Sequence, residues 1–234
     1  KNIVGILGGY NQIAYDWLLR QSGSSNPNVV RDAPVGTATV GNIAYISDTY
    51  SNLQPRMVQG ADFSLDYDLD DTPWGDFGLS INVAKLLKYD QSPSAIESVL
   101  QEAVAAGKLP GVTIASAGNQ IQFDGFPEFR GTASVSWRKD GWGAGAFVNY
   151  VGEVFDTAPA QVNGQYFPIK EWTTVSFYGQ YAFKDGMFDG STVRVGVRNA
   201  FDKDPPLTAS NFGYSGALHN ATGRYWYMNL AKRF

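Results

Sequence analysis

The sequence predicts an all-β chain: an antiparallel, up-and-down segment of about eight strands from a transmembrane β-barrel, with short helices in its long external loops. Three observations predict it. Apolar and polar residues alternate over long stretches, the period of a strand with one apolar face. The connections between those stretches alternate between tight and long. Composition agrees, because only 17% of the 234 residues are charged, below the ~25% of an ordinary soluble domain. Aromatics at 14% and 26 glycines favour strands and turns.

Composition also excludes several classes. Mean hydropathy is -0.22, and no run approaches the ~18 apolar residues of a membrane-spanning helix. With no cysteine there is neither a disulfide framework nor a thiolate metal site. A net charge of -4 and a pI near 5.0 argue against a nucleic-acid binder, which carries a basic footprint. The opening residues 1–9 are too short an apolar run for a signal peptide and lack a small-residue cleavage site. Either a mature chain begins here or these residues are a piece of a longer one.

Taken in order, residues 1–8 read as the tail of a strand, with Ile3, Gly5 and Leu7 opposite Asn2, Val4 and Ile6. Residues 9–42 are a long polar connection with a short helix, N-capped at about Asn11 and ending at Arg20. Ile13, Trp17 and Arg20 fall at helical spacing within it. From Ile43 the pattern turns to β. Over residues 57–70, Met57, Ala61, Phe63, Leu65, Tyr67 and Leu69 alternate with Gly60, Asp62, Ser64, Asp66, Asp68 and Asp70. After a tight turn at 71–75, Phe77, Leu79, Ile81 and Val83 alternate with Gly78, Ser80 and Asn82. Residues 90–127 are a second long connection, whose helix has a capping box of Ser94 and Glu97, a stripe of Ile96, Val99, Leu100 and Val104, and a stop at Gly107.

Four more strands follow. Phe129, Ala133, Val135 and Trp137 oppose Arg130, Thr132, Ser134, Ser136 and Arg138, and Asp140-Gly141 is the turn. Trp142, Ala144, Ala146, Val148 and Tyr150 share the next apolar face. Val175, Phe177, Tyr181 and Phe183 oppose Thr174, Ser176, Tyr178 and Gln180, and Val193, Val195 and Val197 oppose Arg194, Gly196 and Arg198. The last strand, residues 223–234, puts Trp226, Met228, Leu230 and Phe234 on one face and Tyr225, Tyr227, Asn229, Ala231 and Arg233 on the other.

Connections at 71–75, 140–141 and 185–190 are tight, whereas those at 9–42, 90–127, 157–168 and 203–222 are long. In an up-and-down sheet alternate connections share an end, so one rim is short and the other elaborated, the layout of an outer-membrane barrel. Strands of roughly 12 to 15 residues exceed the ~9 to 11 that cross a bilayer. A soluble ligand-binding barrel alternates too, but turns a charged face outward. Here the non-apolar face is rich in Ser, Thr, Asn, Gln and Gly, which suits a wet lumen. Lys85, Glu171 and Lys232 fall on the apolar parity near strand ends, where a charge costs ~0 to 1 kcal/mol rather than the ~2 to 4 of the bilayer midplane.

The run from Val193 to Pro206, V-R-V-G-V-R-N-A-F-D-K-D-P-P, with G-R-Y-W-Y-M-N-L-A-K-R-F after it, resembles the C-terminal end of TonB-dependent outer-membrane receptors. The family's segment there reads Asn-Leu-Phe-Asp-Lys-x-Pro, matched by Asn199, Phe201 and Asp202, with Ala200 in place of Leu; its last strand opens Gly-Arg, here Gly223 and Arg224, and ends in Phe, here Phe234. Asn52 followed by Gly60-Ala61-Asp62 resembles a further strand motif, and Tyr150-Val151-Gly152 leading to Asp156 another. The resemblance covers residues from about 43 onward. It implies a 22-strand barrel with an N-terminal plug and a TonB-recruiting segment, of which residues 1–234 are the C-terminal portion. It also implies a bacterial outer-membrane location, contact with outer-membrane lipid, engagement of the TonB complex through the missing N-terminal part, and delivery by the outer-membrane assembly machinery through the last strand. The expected ligand is a scarce nutrient: a ferric siderophore first, with cobalamin or an oligosaccharide as rivals.

Ligand contacts are expected from the long-loop rim, where Tyr10, Trp17, Arg31, Phe123, Phe126, Phe212, Tyr214 and His219 gather. Aromatics there can stack on a catecholate or sugar, and arginine can pair with an anionic chelate. Each has a plainer reading, loop packing for the aromatics and a solvated surface residue for His219. The aspartates at 62, 66, 68 and 70 read as polar lumen lining rather than a cation site, and glycines 141, 143 and 145 precede a strand rather than the helix a phosphate loop needs. No catalytic constellation, cofactor site or metal site emerges, and the chain is not read as an enzyme. Two other functions stay open: a small self-contained outer-membrane barrel with an adhesive or structural role, and a soluble ligand-binding barrel.

Overall fold

The computed structural model describes residues 4–157, 165–209 and 211–233, with Asn211 described by its backbone alone. Seven long strands run as an antiparallel meander in chain order: β1 (Arg56–Thr72), β2 (Gly75–Gln91), β3 (Phe129–Lys139), β4 (Trp142–Val151), β5 (Trp172–Ala182), β6 (Ser191–Arg198) and β7 (Tyr225–Lys232). Two helices, α1 (Gly9–Arg20) and α2 (Ala95–Ala105), lie in the two longest connections. No described helix is long and apolar enough to cross a membrane. The chain divides into two compact units, a loop unit of Lys1–Met57 with Tyr89–Gln120 and a meander unit of Val58–Lys88 with Ile121–Phe234.

In the meander unit, register puts the predicted faces where the alternation requires. One row across six strands reads Leu79, Val135, Ala146, Phe177, Val197 and Trp226. The neighbouring row, on the opposite face, reads Gly78, Ser136, Gly145, Tyr178, Gly196 and Tyr227. The apolar face has no protein layer on it at β7, where Trp226, Met228 and Leu230 are 71, 63 and 71% exposed. The polar face is thin, because the tyrosine rings lie flat on glycine. A Cβ at Gly145 would stand 2.4 Å from the Tyr178 ring, and one at Gly196 2.5 Å from the Tyr227 ring. The Arg194 guanidinium then stacks 4.5 Å from the Tyr178 ring centre.

Three tight turns join these strands as expected. At Thr72–Gly75 the Thr72 hydroxyl donates to the Gly75 carbonyl. Asp140 and Gly141 both take positive φ (49° and 91°), the two-residue hairpin turn whose twist matches its strands. Residues 183–190 hold a single 3-10 turn, Gly186–Phe188. Lengths differ from expectation: β1 and β2 reach 17 residues each, while β6 and β7 have 8. The anticipated first partial strand is Val4–Gly5, which pairs with Ser51–Asn52 rather than with the meander. Ile43–Ile46 likewise forms a local pair with Val29–Arg31. Lys85 is accommodated by Glu128 at 3.3 Å and by the Phe129 ring at 4.7 Å. Lys232 donates to the Met187 carbonyl in the tight-turn rim, and Glu171 is exposed just ahead of β5.

The loop unit follows the opposite rule, with apolar groups inside. Ala14, Leu100, Ala103 and Leu109 form a small core, flanked by Tyr15, Leu18, Ile96, Val104, Val112 and Ile114. The capping box of α2 is present, with the Ser94 hydroxyl accepting from the Glu97 N–H and the Glu97 carboxylate from the Ser94 N–H. Helix α1 starts two residues before the expected cap. Gly8 is its N-cap, and the Gly8 N–H is satisfied by Asp48 Oδ2 at 2.7 Å, a cap borrowed from 40 residues away. Asn11 sits inside the helix, its amide donating to the Leu7 carbonyl and Ser116 Oγ.

Candidate functional site

Helix α1 carries two different faces. The buried one is polar: Asn11, Gln12 and Asp16 sit there with Ala14. Asp16 Oδ2 accepts from Arg20 Nε at 2.8 Å and from Arg31 Nη2 at 3.0 Å, while Oδ1 accepts the Asn26 N–H at 3.0 Å. Burial alone would raise the Asp16 pKa, but the two guanidiniums and the Asn26 N–H outweigh it and hold the carboxyl below its ordinary range. Arg31 also donates to the Gly41 carbonyl, so this cation is committed to holding the loop.

The other face of α1 lines a groove of about 340 Å³ with Tyr10, Ile13 and Trp17, floored by Ala14 and closed by Leu109, Pro110 and Val112. Tyr10 and Trp17 are both about half exposed. The lining has no charged side chain, and its two aromatic residues are seven apart, two helical turns along one face. It can hold a ring or an alkyl chain by area burial and stacking, and the polar groups its side chains carry are the Tyr10 hydroxyl and the Trp17 indole N–H.

At the long-connection end of the meander unit the family-motif residues converge. Asn199 and Asp202 take positive φ (46° and 54°), as does Gly223 (71°). The Asn199 amide donates to the Lys203 carbonyl and its Oδ1 accepts the Lys203 N–H, closing the turn after β6. Asp202 Oδ1 accepts the Arg224 N–H at 2.7 Å, and Arg224 Nη1 donates to the Ala200 carbonyl. The motif is thus a clasp joining the two ends of one loop. Phe201 packs edge-on to Phe177. Asn52 lies in the loop unit's Ser51–Asn52 pair. Gly60 sits on β1, where a Cβ would come within 3.1 Å of the Lys85 carbonyl. Phe234 lies outside the described residues.

Of the eight expected ligand residues, Tyr10, Trp17 and Arg31 belong to the loop unit, and Phe123, Phe126, Phe212, Tyr214 and His219 to the meander unit. Tyr10 and Trp17 meet in the groove. Phe123 packs edge-on against Phe155 and Tyr166, and Phe126 is exposed nearby in sequence. Phe212 is fully exposed and Tyr214 half-buried. His219 is buried at 5% exposure instead of solvated, its ring edge-on to Trp172. Asp62, Asp66, Asp68 and Asp70 are exposed, and no group of three or more His, Asp or Glu able to hold a metal occurs among the described residues. Sequence reasoning missed Leu109, Pro110 and Val112, although a short apolar run follows α2, and missed Asp16, which the four-residue spacing to Arg20 could have flagged.

A family model described as TonB dependent receptor-like, beta-barrel, matches residues 11–200. No curated protein matches the chain. Among solved structures, the chain is similar to a mutant of the ferric enterobactin receptor PfeA from Pseudomonas aeruginosa, at 19% identity and a TM-score of 0.49, over 86% of this chain and 26% of that one. It is also similar to the copper transporter OprC, at 16% identity and a TM-score of 0.46, over 79% of this chain and 24% of that one. The chain therefore spans about a quarter of the length of these solved chains.

Proposed function

Because this chain belongs to the TonB-dependent receptor β-barrel family of the bacterial outer membrane, we propose that residues 1–234 are the C-terminal portion of a receptor for TonB-energised nutrient uptake. The observation that carries the reading is the inverted meander: an uncovered apolar face, a polar face of Gly, Ser, Tyr and Arg, and short turns on one rim opposite long connections on the other. A ferric siderophore is the leading ligand, the substrate class that the PfeA neighbour's name carries for that protein. Capture of a ring-bearing part of the ligand falls to the Tyr10 and Trp17 groove, and Phe212 and Tyr214 are further candidates. Energy coupling runs through a TonB-contacting segment, the apolar face meets outer-membrane lipid, and β7 engages the assembly machinery. The 234 residues alone do not transport, since unpaired strand edges are not tolerated in lipid.

Uptake of radiolabelled ferric siderophore by iron-starved cells tests this. The expected result is uptake that needs both this receptor and a working TonB complex. Trp17→Ala should weaken binding about 2- to 10-fold, the ~0.5 to 1.5 kcal/mol of one aromatic contact. Uptake of cobalamin or an oligosaccharide instead would change the nutrient and keep the receptor. No TonB-dependent uptake of any of the three would overturn the function.

A further inference from the structure

The connection between β6 and β7 is fastened to the meander at several points. The Asn199 and Asp202 turn and the Arg224 contacts clasp its ends. Between them, the Trp172 Nε1–H donates to the Asp204 carbonyl at 2.9 Å. Leu218 then sinks into a buried cluster with Val151, Val154 and Ile169. His219 follows it, 5% exposed, with its ring 5.4 Å from that of Trp172. Its backbone N–H donates to the Ser215 carbonyl, but neither ring nitrogen has a hydrogen-bond partner among the described residues.

A buried imidazole whose nitrogens make no well-formed hydrogen bond, and whose neighbouring acceptor, the Ser215 carbonyl, already takes the Leu218 and His219 backbone N–H groups, is favoured as a neutral ring. Protonation would place a full charge and a second unsatisfied N–H in the same apolar pocket. The charged groups on the elements around it are Arg130 on β3, Glu153 and Asp156 at the Val154–Asp156 strand, Lys170 and Glu171 ahead of β5, and Lys203 and Asp204 in the connection itself. None of them hydrogen-bonds the ring. We propose that His219 is a proton-operated latch: neutral, it keeps the 203–222 connection docked on the rim of the meander, and protonated, it releases that connection together with Phe212 and Tyr214.

The electrostatics agree with the geometry. Burial, the largest cause, with Arg130 adding to it, outweighs the pull of the Ser215 carbonyl and lowers the ring's pKa below its ordinary 6.5. The free connection therefore binds a proton more readily than the docked one. Docking is constant above about pH 6.5 and weakens as pH falls below it.

The test is cleavage within 203–222 by a broad-specificity protease added to outer membranes that hold the full-length receptor, between pH 8 and 5. Wild type and His219→Phe, which keeps a ring on Trp172 but cannot titrate, are compared at each pH, so the protease's own pH dependence cancels. The expected result is equal protection at pH 8 and a wild-type rise of up to about tenfold per pH unit below 6.5, absent from the variant. His219→Gln, polar and non-titrating, should also lack the rise. A wild-type rate that tracks His219→Phe or His219→Gln at every pH would overturn the latch. The readout needs no ligand, so it stands or falls apart from the nutrient assignment.

Discussion

The loop unit and the meander unit are built inside out with respect to each other. In the loop unit Leu100 is wholly buried and the apolar groups gather inward. On the last strand of the meander Trp226, Met228 and Leu230 point away from the protein, and Tyr, Asn and Ala take the other face. The difference is one of solvent. Water drives the loop unit's small core by the hydrophobic effect, whereas a strand that faces lipid, as proposed for the meander, gains nothing by turning its apolar side inward and is held by its ladder of backbone hydrogen bonds. Charge is handled differently too: the loop unit buries a carboxylate among two guanidiniums, and the meander pairs Lys85, inside β2 on the apolar parity, with a partly exposed Glu128.

The contrast can be broken most sharply at Asp16. Asp16→Ala should destabilise the loop unit by about 3 kcal/mol, the lower end of the ~3 to 5 for breaking a buried pair, because Arg20 and Arg31 keep part of their side chains in water. Trypsin added to intact cells should then cut after Arg20 and Arg31, and strands β1 to β7 should stay assembled. The same protection should vary with acidity in wild type. Because the folded Asp16 pKa is depressed, its contribution is complete above about pH 3.8, the ordinary value, and is lost as pH falls through the depressed one.

Next in size is a pair of neighbours on β7. Met228→Arg should cost ~2 to 4 kcal/mol if Met228 lies near the bilayer midplane, and Asn229→Arg, one residue on and on the other face, should cost little. Heat-modifiable electrophoretic mobility reads both, and equal loss of the folded band would contradict the assignment of faces. The smallest effect is at Ser94, where Ser94→Ala removes half of a capping box. It should cost about 1 kcal/mol and speed hydrogen exchange in the first turn of α2, with none in the meander.

What the sequence made legible follows from range. Alternation in residues 57–70 and the Asp140-Gly141 turn are local signals, and the strands and faces they imply were found. The Ser94 and Glu97 box spans three residues and was equally readable. The start of α1 was not, because the Gly8 N–H is capped by Asp48, and no local pattern announces a cap from another segment. The polar inner face of α1 was hidden for the same reason: Ile13 and Trp17 gave a stripe, but the partners that bury Asn11, Gln12 and Asp16 come from Asn26, Arg31, Asp48 and Ser116. The candidate site was half legible. Tyr10 and Trp17 were named, their apolar neighbours at 109–112 were not, and Arg31 proved to be a fastener within the loop unit.

The two glycines beneath Tyr178 and Tyr227 bear on something neither unit's packing describes, how far the polar face stands out from the sheet. A phenol ring laid flat adds little to that height, and the same ring stood on edge would project from the sheet. With a Cβ at Gly145 or Gly196 meeting the rings at 2.4 or 2.5 Å, one methyl group would tip a ring upright and swing Arg194 off its stack. The relief of the polar face along β4 to β7 is set less by the large side chains on it than by the two that are missing.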